Sequence, residues 1–230
     1  MTQTPRERAR QQTMVEIVAI GRSHLELHGA AGLSLRAVAR DLGVVSSAVY
    51  RYVKNRDELL TLLVVDGYNA LGDAVDAALE DVSAEDFKAQ FRATGRAVRE
   101  WALAEPARYG LLFGSPVPGY EAPAEQTMTP GTRVVMRLVL ILDAAYAAGQ
   151  LTGREQVIDP RLSADFAAIR QDLGVTMDDS ALAAGVLAWT SLFGAVNFEV
   201  FGQYGADTFS TPAGLFESHL DGIESMVGLR

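Results

Sequence analysis

The 230-residue chain contains no cysteine, which excludes disulfides, thiolate metal sites and cysteine nucleophiles. Histidine is nearly as scarce. His24, His28 and His219 are the complete set, so a His-based triad or multi-histidine metal site would need almost all of them. His24 and His28 share a helix face, a spacing metals use, but no carboxylate or third histidine follows in register. No P-loop, GxSxG, HExxH or dinucleotide fingerprint occurs, and Asp143 and Asp165 stand alone rather than as an acid–base pair. The expectation is a non-enzyme without catalytic residues, metal or cofactor. Uninterrupted apolar runs are short. The longest candidate, Val134 to Leu142, is broken by Arg137, well below the roughly 18 apolar residues of a membrane span. The first residues run directly into charged sequence without an apolar signal core. These features lead us to expect a soluble, cytoplasmic protein with no membrane partner.

Positive charge is also deficient, but unevenly so. The net charge is −9, yet residues 1–56 carry a balance of +5 and residues 57–230 one of −14. A basic first quarter on an acidic body points to a polyanion partner for that quarter alone. The other reading is ordinary surface charge on a small domain.

Sustained alternation of apolar and polar residues is absent, whereas helical periodicity and caps recur, so the fold class is all-α with nine or ten helices. A first helix is expected from about Arg6 to His28, with Ile17, Ile20, Gly21, His24 and Leu25 inward. Ser34 caps a short helix ended by Gly43. A second short helix covers Ser46 to about Val53, and Asn55 with Glu58 opens a long one. Further starts are expected at Ser83/Asp86, Pro106, Thr129-Pro130, Asp159-Pro160, Asp178 or Asp179, and Thr211-Pro212. The three prolines of Ser115 to Pro123 mark a loop, either a gate or a connection.

Between Ser34 and Lys54 the pattern has a specific logic. Leu35, Val38, Ala39 and Leu42 bury one helix, Gly43 reverses the chain, and Val44, Val49 and Val53 bury the next. Ser46, Ser47, Tyr50, Arg51 and Lys54 are left facing outward, as a major-groove helix requires. Any small helical hairpin uses the same glycine, so this pattern alone leaves DNA binding open. One of Tyr50 and Tyr52 has an alternative role in packing the core.

The run Ser34-Leu-Arg-x-Val-Ala-x-x-Leu-Gly-Val, followed by Tyr50-Arg-Tyr-Val-Lys-Asn-Arg-Asp-Glu-Leu-Leu60, resembles the DNA-binding domain of the tetracycline-repressor (TetR) family. The match begins near Arg10 and covers about the first quarter. It implies a three-helix helix-turn-helix head, residues 1–56, joined to a helical ligand-binding and dimerising body, residues 57–230. Ser34 and Arg36 would meet phosphates or the groove edge. Ser46, Ser47 and Arg51 would approach bases, and Tyr50, Tyr52, Lys54 and Arg56 would clamp the backbone. The family often has Ser or Thr where this chain has Val45. Valine cannot cap, so either Ser46 caps instead or the cap is missing.

The body, through Trp101-Ala-x-Ala-x-Pro106-x-x-Tyr109-x-Leu-Leu-Phe-Gly114 and Trp189-x-x-x-Phe-Gly194, is similar to a TetR subgroup with a Trp-His-Gly signature, Phe193 standing in the His position. Trp101, Phe113, Met136, Trp189 and Phe193 are candidate pocket walls, or ordinary core. Asn197 would orient a ligand or bond within the bundle. In the long helix after Asp178, Leu182, Val186, Trp189, Phe193, Val196 and Val200 form a bulky stripe assigned to the body core. Ala181, Ala184, Ala188, Ser191 and Ala195 form a small one assigned to a partner helix. In the last helix Phe216, Leu220, Ile223 and Val227 give a single seam. The last two long helices are thus expected to form a homodimer interface, with a monomeric core as the alternative.

Together these features imply a ligand-responsive repressor that a small apolar effector releases from a double-stranded, palindromic operator by favouring a body conformation that misfits the half-sites. The alternatives are a helical small-molecule-binding protein and an architectural DNA-binding protein, neither under ligand control.

Overall fold

The computed structural model describes residues 4–152 and 156–230. They form ten α-helices and no strand: α1 (Pro5–His28), α2 (Leu35–Asp41), α3 (Ser46–Val49), α4 (Arg56–Leu79), α5 (Phe87–Ala104), α6 (Pro106–Phe113), α7 (Ala124–Ala147), α8 (Pro160–Leu173), α9 (Asp179–Val200) and α10 (Pro212–Val227). Local chemistry sets most of the ends. Thr4 and Glu7 close a capping box at α1. The carboxylates of Asp159 and Asp178 accept from backbone N–H groups at the starts of α8 and α9. At α4, Asn55 Oδ1 accepts from the Glu58 N–H at 2.8 Å, while the Glu58 carboxylate reaches past the cap to accept from the Lys54 N–H at 2.5 Å.

Two expected boundaries and two expected caps are corrected. Thr129-Pro130 opens no helix; Pro130 lies inside α7. That helix starts earlier because the Pro123 carbonyl accepts from the N–H groups of Gln126 and Thr127 and from the Thr127 hydroxyl. Pro130 removes one rung and the helix continues through it. The second short helix stops at Val49, with a turn through Tyr52. Ser34 and Thr211 occupy cap positions without making a cap hydrogen bond.

The described chain divides into two compact units. One comprises Met1–Ala70 and Glu105–Gly131, the other Leu71–Ala104 and Thr132–Arg230. The first is centred on Ile17, Leu25, Val38, Val49, Leu59 and Leu63, all nearly inaccessible. Leu111, Val117 and Tyr120, from α6 and the following loop, pack against this cluster. The compact unit therefore reaches beyond residue 56. Polar contacts reinforce it. The Asp66 carboxylate accepts from Arg22 of α1 and, at 2.7 Å, from the buried Arg108 of α6. The Tyr120 hydroxyl, on the proline-rich loop, lies 3.0 Å from that of Thr61.

In the second unit α9 packs on α5 and α10. A methyl group at Gly95 of α5 would fall 2.8 Å from Leu220 and 3.2 Å from Leu192, so the three helices meet at glycine-limited distance. The cations of α5 face acids. Arg92 bonds Glu217, Asp221 and the buried Glu224; Arg96 bonds Glu217; Arg99 holds Glu199 with two hydrogen bonds. Lys88 lies 3.2 Å from Glu224. The guanidinium groups of Arg96 and Arg92 hold the Glu217 carboxyl down at about 2.

α9 is the one described helix long and apolar enough to cross a membrane by length and composition. Residues 181–198 carry no charge, so this stretch exceeds the expected longest run at Val134 to Leu142. Glycine, serine, threonine and asparagine dilute it, and Ala181, Ala184, Ala188 and Leu192 are buried in the fold.

Candidate functional site

The first unit carries the helix-turn-helix. The α2–α3 reversal depends on Gly43, whose φ of +73° is open to glycine and strained for other residues. The Val44 N–H then donates back to the Ala39 carbonyl at 3.0 Å. Val38, Ala39, Val49 and Val53 close the core beneath, each 1% exposed or less. Val44 was expected among them but is 39% exposed, because α3 is a single turn and only Val49 of that turn points inward. Val45 occupies the N-cap position of α3 and makes no side-chain cap bond, so of the two capping alternatives the structure has the missing cap.

The DNA-contact candidates all fall in this unit. Arg36, Ser47, Tyr50, Arg51 and Lys54 are exposed, while Ser34, Ser46, Tyr52 and Arg56 are half-buried. Tyr52 is the tyrosine that packs on the head cluster. Arg10 of α1, which the sequence reading left out, stands over the Tyr52 ring at 5.2 Å. Arg56 is partly committed, since its Nη2 donates to the Ala30 carbonyl at 2.8 Å. Arg36, Arg51 and Lys54 differ: among the described residues their side chains have neither carboxylate nor hydrogen-bond partner. In the same unit, His24 Nε2 lies 2.6 Å from Asp41 Oδ2. That bond holds the Asp41 carboxyl below its ordinary range and ties α1 to the end of α2.

The second unit contains an apolar cavity of about 80 Å³ between α7, α8 and α9. Val135, Leu142, Phe166, Met177, Leu182 and Trp189 are among its walls, and among the described residues no charged or hydrogen-bonding side chain lines it apart from the indole of Trp189. Of the six expected ligand contacts, Trp189 alone lines it. Trp101, Met136 and Phe193 are half-buried elsewhere in this unit. Phe113 belongs to the first unit, against Tyr68 and Tyr109. Asn197 does not reach the cavity, and its buried Oδ1 accepts no hydrogen bond among the described residues. The missed walls follow a recognisable spacing, Phe166, Ile169 and Leu173 on α8 facing Val135, Leu138 and Leu142 on α7. An inventory of aromatic residues does not point to this largely aliphatic pairing.

The two stripes of α9 are corrected in part, since Leu182 and Val196 of the bulky one are buried as expected. Ala181, Ala184 and Ala188 are 7% exposed or less within one chain, because their small side chains let α9 sit close to its own neighbours. They cannot meet a partner. From the bulky stripe, Val186 and Trp189 are 47% and 39% exposed. Ser191 and Ala195 of the same small stripe, with Gly194, Ser218 and Gly222, do line an outward groove of α9 and α10, with Phe198 and Met226 beside them.

Residues 91–223 match the model of the tetracyclin repressor-like C-terminal domain. The chain is 49% identical over 213 residues to the HTH-type transcriptional regulators Rv1816 of Mycobacterium tuberculosis (strain ATCC 25618 / H37Rv) and Mb1846 of Mycobacterium bovis (strain ATCC BAA-935 / AF2122/97), a match spanning 93% of this chain and 91% of each of theirs. The chain belongs to the TetR family. The crystal structure of a regulatory protein, SCO4313, superposes with a TM-score of 0.77 at 33% identity, covering 96% of this chain and all of that one. This TetR chain is a transcriptional regulator, and the all-α head-and-body architecture read from its sequence is that of its relatives.

Proposed function

We propose that this regulator binds a pseudo-palindromic operator as a homodimer in the cytoplasm, residues 1–56 supplying the DNA surface and residues 57–230 the effector and partner surfaces. The observation that carries the reading is the uncommitted charge of Arg36, Arg51 and Lys54. In a chain with net charge −9, three exposed cations of the helix-turn-helix without acidic partners are suited to phosphates and base edges. Ser34, Ser46, Ser47, Tyr50, Tyr52 and Arg56 complete the proposed contact set. Two heads related by a two-fold axis place their recognition segments in major-groove faces about 34–36 Å apart, or a multiple of that.

The partner surface is the outward groove of α9 and α10, where small residues between Phe198 and Met226 admit a second pair of helices. The effector is mainly apolar, because the cavity offers it hydrocarbon on nearly every side and room for more than one water-sized group. Effector and DNA then oppose each other by linkage, which makes the protein a repressor that releases its operator. The test is selection of duplexes from a randomised pool by the full chain, followed by sedimentation of the complex. Inverted repeats carrying an even number of chains are expected. A monomer at micromolar concentration, or a pool without enrichment, overturns the reading.

A further inference from the structure

We propose that Val45 reads the C5-methyl group of a thymine in each operator half-site. The inference rests on the reading that α3 enters the major groove, and it adds a base-specific contact outside the set proposed above. Val45 is 71% exposed and takes no part in the head cluster, which Val49 and Val53 close without it. Its backbone has N-cap geometry, φ −68° and ψ 144°, at a helix of four residues.

A lone exposed valine is ordinary on a protein surface. What sets this one apart is the position it occupies. Serine, threonine, aspartate or asparagine there would accept from an N–H of α3, and a single-turn helix has little else to hold it. The chain forgoes that bond and places an isopropyl group beside the hydroxyls of Ser46 and Ser47. Nothing within the head gains from the exchange.

In the major groove the thymine methyl is the one apolar feature a base presents, and an aliphatic side chain is its complement. The contact is made by the side chain and asks nothing of the backbone N–H groups. An isopropyl group also penalises cytosine or adenine at that position, because their amino groups would lose water and find no acceptor.

The test begins with a duplex selected from the randomised pool. Each thymine is replaced in turn by deoxyuridine, which removes the methyl and keeps the pairing. Affinities of the unmodified full chain, Val45→Ser and Val45→Ala are then compared by fluorescence anisotropy. One thymine per half-site is expected at which the replacement weakens the unmodified protein about fourfold, the worth of one buried methyl group. The same replacement should leave both variants unaffected. Val45→Ser should also melt at a higher temperature than the unmodified protein while binding the thymine duplex more weakly, an opposition that a structural role does not produce. Equal responses of all three proteins at every thymine, or half-sites without thymine, overturn the proposal for Val45 alone. An unchanged affinity of Arg51→Ala for the selected duplex overturns the groove reading and the proposal with it.

Discussion

In α5, Lys88, Arg92, Arg96 and Arg99 each meet a carboxylate of α9 or α10; in the helix-turn-helix, Arg36, Arg51 and Lys54 meet none among the described residues. The side chains are of the same kind, and their surroundings give them different work. The cations of α5 fix one helix to two others, and one of their acids, Glu224, is 2% exposed and lies against Lys88 and Arg92. Arg36, Arg51 and Lys54 are left in water with nothing to hold among the described residues. A cation paired at rest must surrender its partner before it binds an anion, whereas an unpaired one loses only water and counterions. The acidic body therefore spends much of its positive charge internally, whereas the helix-turn-helix keeps these three cations available.

The contrast can be broken first from the body side. Arg92→Ala should lower the stability of the fold by about 3 kcal/mol, because it removes a partner from the buried Glu224. Thermal melting should show this loss, and operator affinity measured well below the melting temperature should hardly change. Arg51→Ala should show the opposite pattern. Affinity for the selected operator should fall by roughly 1–3 kcal/mol, with an unaltered melting temperature. If Arg51→Ala melts early, the description of that side chain as uncommitted fails. Arg10→Ala tests an intermediate case, a cation engaged with a ring and not with an acid. It should lower the melting temperature less than Arg92→Ala does, since an exposed cation–ring contact is worth about 0.5–1 kcal/mol.

The smallest expected effect is on pH dependence. Glu217 titrates lower in the folded protein than in the unfolded chain, from an ordinary 4.5 to about 2, because Arg96 and Arg92 bond its carboxylate. Its contribution is fully present above pH 4.5 and is lost as the pH falls toward 2. The group is partly exposed, so solvent screens much of this effect. Glu217→Gln should flatten the acid limb of the melting-temperature curve slightly between those values and leave neutral operator binding unchanged.

Much of the architecture was legible because helix ends are written in local chemistry. Asn55 with Glu58, Asp159 before Pro160, and Asp178 all act where their side chains reach the next backbone N–H groups. Thr129-Pro130 misled because the same pair is tolerated inside a helix once an earlier carbonyl, that of Pro123, has begun it. The basic surface was legible as well, since outward-facing Arg36 and Arg51 follow from the burial of Val38 and Val49. The cavity was not. Whether aliphatic side chains such as Leu138 and Ile169 fill the space between three helices or leave a void depends on backbone separations that no spacing encodes. The stripes of α9 were legible only in part, for a related reason. Periodicity showed two apolar faces, but which one the chain covers itself depends on how closely α5 and α10 approach, and glycines such as Gly95 set that distance.

The Asp66 carboxylate, shared by Arg22 and Arg108, bears on how this protein can be recombined with its relatives. A hybrid that grafts residues 1–56 onto a foreign body would carry Arg22 and leave behind both Asp66 and the Arg108 that shares it. It would also uncover the faces of the head cluster against which Leu111 and Tyr120 rest. The transferable module is therefore discontinuous in the chain, running to residue 70 and resuming at 105–131. DNA specificity in this regulator is inherited together with α6 and the proline-rich loop, segments that contain none of the proposed DNA contacts.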